Sequence, residues 1–282
     1  MKPICLTLIL LSFIIPSFAP AEGETHVPNA GAPQAANPGV PPPSRGGSVY
    51  RISPAVDIPV LSAAALGATL PLLFESQLIH QKCPCDANGV NAFDRPVVGN
   101  NNVTAGTISD YTVGLALAVP LALDGADQGF NKTFWEDIFV YAESLAINTA
   151  VSHIARYGVQ RPRPTAYGAN PPETRAAEFL SFYSGHTASV FAGLSAASMT
   201  YGYRYGHKAW PWIVTAGVGV GESVLRVAAG RHFYTDVIAG AVAGTAVGTL
   251  VPYFHHRYRD SGLSLEPTED DSGIKLVWRK NF

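Results

Sequence analysis

Three short segments place cations and histidines where helices begin or end. The first, RYGVQRPRP from Arg156 to Pro164, holds three arginines within eight residues. Alone it reads more readily as a solvated basic loop than as a site. The second, SFYSGHT from Ser181 to Thr187, runs Ser-Gly-His into a helix. Free backbone N–H groups and the positive dipole end make such a start an anion cradle, although Ser184 could simply cap the helix. The third, LRVAAGRHFYTDVIAG from Leu225 to Gly240, sets Arg226 six positions before His232 and Asp236 four positions after it. On a helix that spacing turns Asp236 toward the imidazole, where it can accept a ring N–H. A single His–Asp pair of this kind is more often structural than catalytic.

Taken together the segments supply two histidines, well-placed arginines, an orienting carboxylate and a glycine-flanked helix start. Guanidiniums recognise phosphate bidentately. A histidine oriented by an acid can attack phosphorus, and a second can protonate the leaving group. The sequence shows no carboxylate cluster of the kind that holds magnesium or calcium. The expectation is a site with no metal and no cofactor.

These residues resemble the three-part signature of the type 2 phosphatidic acid phosphatase and vanadium haloperoxidase superfamily. Arg156 stands at the place of the lysine in its first motif, and the spacing selects Arg163-Pro164 over Arg161-Pro162. Tyr183-Ser184-Gly185-His186 matches Pro-Ser-Gly-His, and Leu225-Arg226, His232 and Asp236 match the third motif. The resemblance covers about Phe134 to Tyr258, keeps all internal gaps, and departs at Arg156, Tyr183 and Leu225. It implies that His232, held by Asp236, attacks phosphorus while His186 serves the leaving group and then water. Arg156, Arg163, Arg226, Ser184 and Gly185 would hold the equatorial oxygens.

The elements that must position these groups read as helices. From Pro54 onward the apolar segments are long and rich in Ala, Gly, Leu and Val, without strand-type alternation. Six stretches are expected, Ile58–His80, Ile108–Leu123, Phe134–Tyr157, His186–Tyr205, Trp210–Arg226 and Thr235–Tyr258. The third carries Glu136, Asp137 and Glu143, placed near its start to suit the helix dipole. In the sixth, small residues recur every three or four positions, which lets helices approach closely.

The fold class expected is all-α, a single six-helix bundle-like core over residues 50–260. Ahead of it stand a signal peptide at 1–21, with Lys2, an apolar run and Ala19-Pro20-Ala21, and a Pro/Gly/Ala-rich linker at 22–49. Residues 261–282 form a short tail, a small hairpin or disordered. Export to the periplasm or the outer side of an inner membrane is expected. Six full crossings after a cleaved signal would, however, put the chemical loops inside.

Nineteen basic against twenty-one acidic residues give a net charge of −2, which argues against a nucleic-acid binder. Only 14% of residues are charged and 47% are hydrophobic, which leaves an apolar, charge-poor globular or membrane-associated protein. His80, Cys83 and Cys85 could form half a zinc site but lack a second cysteine pair. They could also form a short disulfide. His255 and His256, with Asp260, are read as partners of a helix C-terminal dipole, and His153 as a core or interface residue. The function expected is a metal-independent phosphatase acting on a phosphorylated lipid or small molecule, with a membrane as neighbour. A vanadium-dependent haloperoxidase, a phosphotransferase and a non-enzymatic envelope scaffold are the alternatives.

Overall fold

Asparagine side chains open two of the long helices. Asn102 accepts the N–H of Ala105 and Asn131 that of Phe134, each replacing a bond that the first turn cannot make internally. The structure, a computed structural model, describes residues 47–80, 83, 85–167, 176–261, 263–267 and 274–278. The proposed signal peptide and residues 22–46 of the linker lie outside these. Seven helices are present among the described residues. They are α1 (Pro54–Leu73), α2 (Glu75–Leu78), α3 (Val103–Gln128), α4 (Lys132–Val159), α5 (Gly185–Tyr205), α6 (Ala209–Ala228) and α7 (Tyr234–Ser261).

The count exceeds the expected six because the first stretch divides at Phe74. Pro71 has no N–H to give to the preceding turn, and the single turn α2 follows the break. The tail folds back as β1 (Leu263–Pro267) and β2 (Ile274–Trp278), antiparallel, with Leu263 opposite Trp278. Of the expected linker, Val49 is buried against Tyr50 and Val140.

The acids of α4 do not serve its dipole. The helix starts at Lys132 with no acidic residue in its first turn. Asp137 is instead buried against Arg204, and Glu143 is buried beside His255.

At the centre stands α5, packed against α3, α4, α6 and α7, while α1 packs on α4. Glycines set the α5–α7 approach. A Cβ on Gly240 would lie 2.7 Å from the Ser184 carbonyl oxygen, and one on Gly244 or Gly248 would lie 2.2 Å from that of Ala188 or Ala192. Three successive fourth residues of α7, Gly240, Gly244 and Gly248, must therefore lack a side chain, and the stripe seats the start of α7 against the start of α5.

Alongside its apolar core the bundle buries many polar side chains and exposes large apolar ones. Glu143, Ser144, Asn148, Thr187, Ser195 and Glu222 are fully buried between helices. Leu66, Leu115, Leu123, Ile154, Ile213, Val224 and Val242 are exposed on its outer faces. Four described helical segments are long and apolar enough to cross a membrane, Pro54–Leu73, Val103–Gln128, Lys132–Tyr167 and Tyr234–His256. α5 and α6 are not among them.

Candidate active site

The loops before α3, α5 and α7 gather at one end of the bundle. The chain enters α1 at the other end, where the Arg51 N–H donates to the His255 carbonyl and His256 Nδ1 to that of Val49. The start of α1 and the chemical loops therefore lie at opposite ends of the bundle.

His232 closes the loop before α7 and is 1% exposed. Its Nδ1 is 2.7 Å from the Ser181 carbonyl oxygen. A carbonyl only accepts, so the proton sits on Nδ1 and the Nε2 lone pair is free. Burial, then the nearby Arg226, Arg163 and Arg156, hold this imidazole well below the ordinary histidine pKa. It is a neutral base.

Asp236 does not face that imidazole. It accepts the Phe233 N–H at 2.9 Å, the Ser181 hydroxyl at 2.5 Å and an Arg161 N–H at 2.6 Å. The helix begins at Tyr234, so the carboxylate turns back onto the N–H of Phe233, the residue just before α7, rather than onto the ring. Its effect on His232 runs through Ser181, whose carbonyl holds the ring and whose hydroxyl is held by Asp236.

Ser184, the N-cap residue of α5, is fully buried and makes no side-chain cap; its Oγ–H donates to Thr187 Oγ1 at 3.0 Å. Its N–H donates to the Asp236 carbonyl at 3.1 Å, which ties the two helix starts together. Gly185 opens α5 with its N–H at the orphan end of the helix. A Cβ there would lie 1.9 Å from Nη2 of Arg156, so the guanidinium rests on the glycine itself. Arg156 also donates its Nε–H to the Tyr183 carbonyl at 3.2 Å.

His186 follows in the first turn of α5, with Nε2 3.1 Å from Asp110 Oδ1. Burial and then Arg226 push its pKa down to about 4 against the opposing pull of Asp110. Arg226 donates from Nη1 to Ser109 at 3.2 Å and to Asp110 at 3.4 Å. The hydroxyl that Leu225 cannot offer beside Arg226 thus comes from α3. The buried Nε–H groups of Arg226 and Arg163 have no hydrogen-bond partner among the described residues.

Both imidazoles stand in the field of Arg156 and Arg226. The structure therefore brings together His186, His232, Arg156, Arg163, Arg226, Ser184 and Gly185. Arg161 is excluded from the cradle because its guanidinium is taken up by Asp94, Thr235 and Asp236 and lies 4.1 Å over the Phe233 ring. Sequence reasoning assigned no role to Asp94, Ser109, Asp110, Ser181 or Glu222. Of these only Ser181 lay within a segment already singled out.

The other cysteine and histidine readings resolve simply. Cys83 and Cys85 are joined in a disulfide, so neither thiol is free for zinc. His153 Nδ1 donates to the Ala68 carbonyl at 2.7 Å and joins α4 to α1.

Comparison with known proteins adds the following. Residues 137–260 match the model of the PAP2 superfamily. Over 153 residues the chain is 28% identical to the lipid A 1-phosphatase of Porphyromonas gingivalis, covering 52% of this chain and 31% of that protein. The chain thus matches under a third of the length of that curated relative. No solved structure matches.

Proposed function

From a chain that belongs to the type 2 phosphatidic acid phosphatase superfamily, we propose a metal-independent phosphatase that removes phosphate from a membrane lipid. The observation that carries this reading is His232. Its Nδ1–H is held by Ser181, and its free Nε2 faces the field of three guanidiniums.

In the proposed reaction Nε2 of His232 attacks phosphorus in line. The N–P bond forms, the bond to the leaving alkoxide breaks, and His186 gives that oxygen a proton. Water then attacks the phosphohistidine, His186 takes its proton, and the N–P bond breaks to release inorganic phosphate. Arg156, Arg163 and Arg226, with the Ser184 hydroxyl and the Gly185 N–H, hold the equatorial oxygens as charge spreads over them. The unpartnered Nε–H groups of Arg163 and Arg226 support this, since a buried guanidinium donor left unsatisfied suits an anion that arrives later. Asp236 acts as a positioning residue through Ser181.

A lipid substrate is favoured over a soluble ester by two features. The outer faces of α1, α3, α6 and α7 are apolar, as a bilayer requires. A largely apolar cavity of about 730 Å³ lies along α3 from Thr112 to Leu123 and ends among Asp124, Asp127, Asp137 and Arg204; none of the phosphate-site residues lines it. That is room for an acyl chain about 16 Å long. The name of the relative makes a lipid A phosphomonoester the first substrate to try. We place the protein in the cell envelope with its phosphate site on the outer side of the inner membrane, so that Val49 lies toward the inner side.

The deciding experiment incubates detergent-purified full-length chain with lipid A, phosphatidate and a generic aryl phosphate, each labelled with ³²P. Expected are release of phosphate from a lipid substrate, an acid-labile, base-stable phosphoenzyme, and loss of both in His232→Ala. Near-normal hydrolysis by His232→Ala overturns the mechanism, and hydrolysis of the aryl ester alone overturns the substrate class.

A further inference from the structure

Asp57 of α1, Glu143 of α4 and His255 of α7 meet at the end of the bundle away from the phosphate site. Nineteen positions of α7 separate His255 from Asp236, about 28 Å of helix. We propose that this cluster is a second site of the protein, which binds one divalent zinc-type cation and clamps α1, α4 and α7 together.

The geometry supplies the argument. His255 Nε2 lies 3.1 Å from Glu143 Oε2 and 3.6 Å from Asp57 Oδ1, and one donor atom from each residue falls within 4.8 Å of the others. A tetrahedral zinc with ligands at about 2.0 Å sets its donor atoms about 3.3 Å apart. Nδ1 of His255 is 2.9 Å from the Val251 carbonyl of its own helix. That bond orients the ring with Nε2 toward the two carboxylates, the arrangement that fixes a metal-binding imidazole.

A second observation points to a ligand. Glu143 is 2% exposed, and among the described residues its Oε2 and His255 Nε2 stand at ion-pair distance, 3.1 Å, without either making an aligned hydrogen bond. They converge without aligning on each other, as atoms do that share a centre between them. Asp57 is anchored separately, since its other oxygen accepts the Ser53 N–H at 2.7 Å. Charge agrees. A proton on the imidazole leaves two buried carboxylates against one positive charge, whereas a divalent cation on a neutral imidazole balances both. One nitrogen and two carboxylate donors suit zinc, while magnesium and calcium favour oxygen alone. The pairing of His255 with a helix dipole, expected from sequence, is corrected here, since its Nε2 meets Glu143 and Asp57. The two acids stand 86 positions apart and meet only on folding.

The test uses the full-length chain in detergent, purified without chelator after growth with added zinc. We expect about one zinc per chain by elemental analysis. Phenanthroline should remove it and lower the melting temperature by about 4 °C or more, and zinc but not magnesium should restore it. Glu143→Gln and His255→Gln should each bind less than half of the wild-type zinc. Should either variant fail to fold, metal content and the zinc-dependent melting shift of the wild type still decide. A wild-type chain that stays metal-free after zinc loading and melts unchanged overturns the proposal and makes the cluster a protonated-histidine ion triad. The readouts are metal and melting, so they stand or fall apart from the phosphatase reading.

Discussion

Ser181 holds His232 by its main chain and is itself held by its side chain. The carbonyl accepts the His232 Nδ1–H at 2.7 Å, while the hydroxyl donates to Asp236 at 2.5 Å. The acid four positions beyond the histidine thus reaches it through a third residue from another loop. We expect Ser181→Ala and Asp236→Asn each to lower kcat by about ten- to a hundredfold with a smaller change in KM. The double variant should be no slower than Asp236→Asn, because both act on one linkage. Multiplicative losses in steady-state kinetics would show that Asp236 acts on the ring independently.

Arg161 and Arg163 are two residues apart and should fail differently. Arg163→Ala or Arg226→Ala removes a donor to the developing phosphorane and should cost about a hundredfold or more in kcat/KM, with little change in melting. Arg161→Ala strips the cation from Asp94 and Asp236, both fully buried, and should cost about 3–5 kcal/mol of stability. Thermal denaturation beside kinetics separates them. An Arg161→Ala chain that melts normally and hydrolyses slowly would reverse the assignment.

The two histidines make the pH dependence specific. In the free protein both are neutral near pH 7, since burial and the arginines hold His232 well below its ordinary value and His186 at about 4. Protonation destroys the His232 nucleophile, and deprotonation removes the proton that His186 must give, so the rate should fall on the acid side, well below pH 6.5, and again on the alkaline side as His186 beside bound phosphate loses its proton. A phosphate dianion cancels the repulsion of the arginines and should raise the His186 pKa from about 4 toward neutrality. Histidine-labelled NMR titration with and without vanadate reads this directly. A His186 signal unmoved by vanadate would deny it the role of proton donor.

Glycines carry two separable effects. Gly185→Ala pushes a methyl into the Arg156 guanidinium and should raise KM for the phosphate substrate while leaving melting nearly unchanged. Gly244→Ala pushes one against the backbone of Ala188, which cannot swing aside, and should destabilise by about 1–3 kcal/mol. A Gly244→Ala chain as stable as wild type would mean that α5 and α7 can separate without cost.

Much of the helical skeleton was readable because apolar residues come in long runs broken by polar loops. The start of α4 was misread for a related reason. Asp137 and Glu143 look like dipole partners in one dimension, yet their partners Arg204 and His255 come from α5 and α7. The choice of Arg163 over Arg161 rested on spacing, and the structure supplies its physical ground, since Arg161 is occupied by Asp94, Thr235 and Asp236. Asp94 carried no signal, because a lone acid in a loop resembles any solvated residue until a buried arginine is found beside it.

By itself the sequence determined which groups can do the chemistry, namely two histidines, the basic loop and a glycine-flanked helix start. It also determined the small-residue stripe that lets their helices meet, because these depend on residue type and short spacing. Only the tertiary structure decided which partner each group takes. Asp236 turns to Ser181, Arg226 leans on Ser109, and Asp57, Glu143 and His255 converge across three helices. Those pairings join positions far apart in the chain, and burial between helices is what makes each buried charge find a partner from another element.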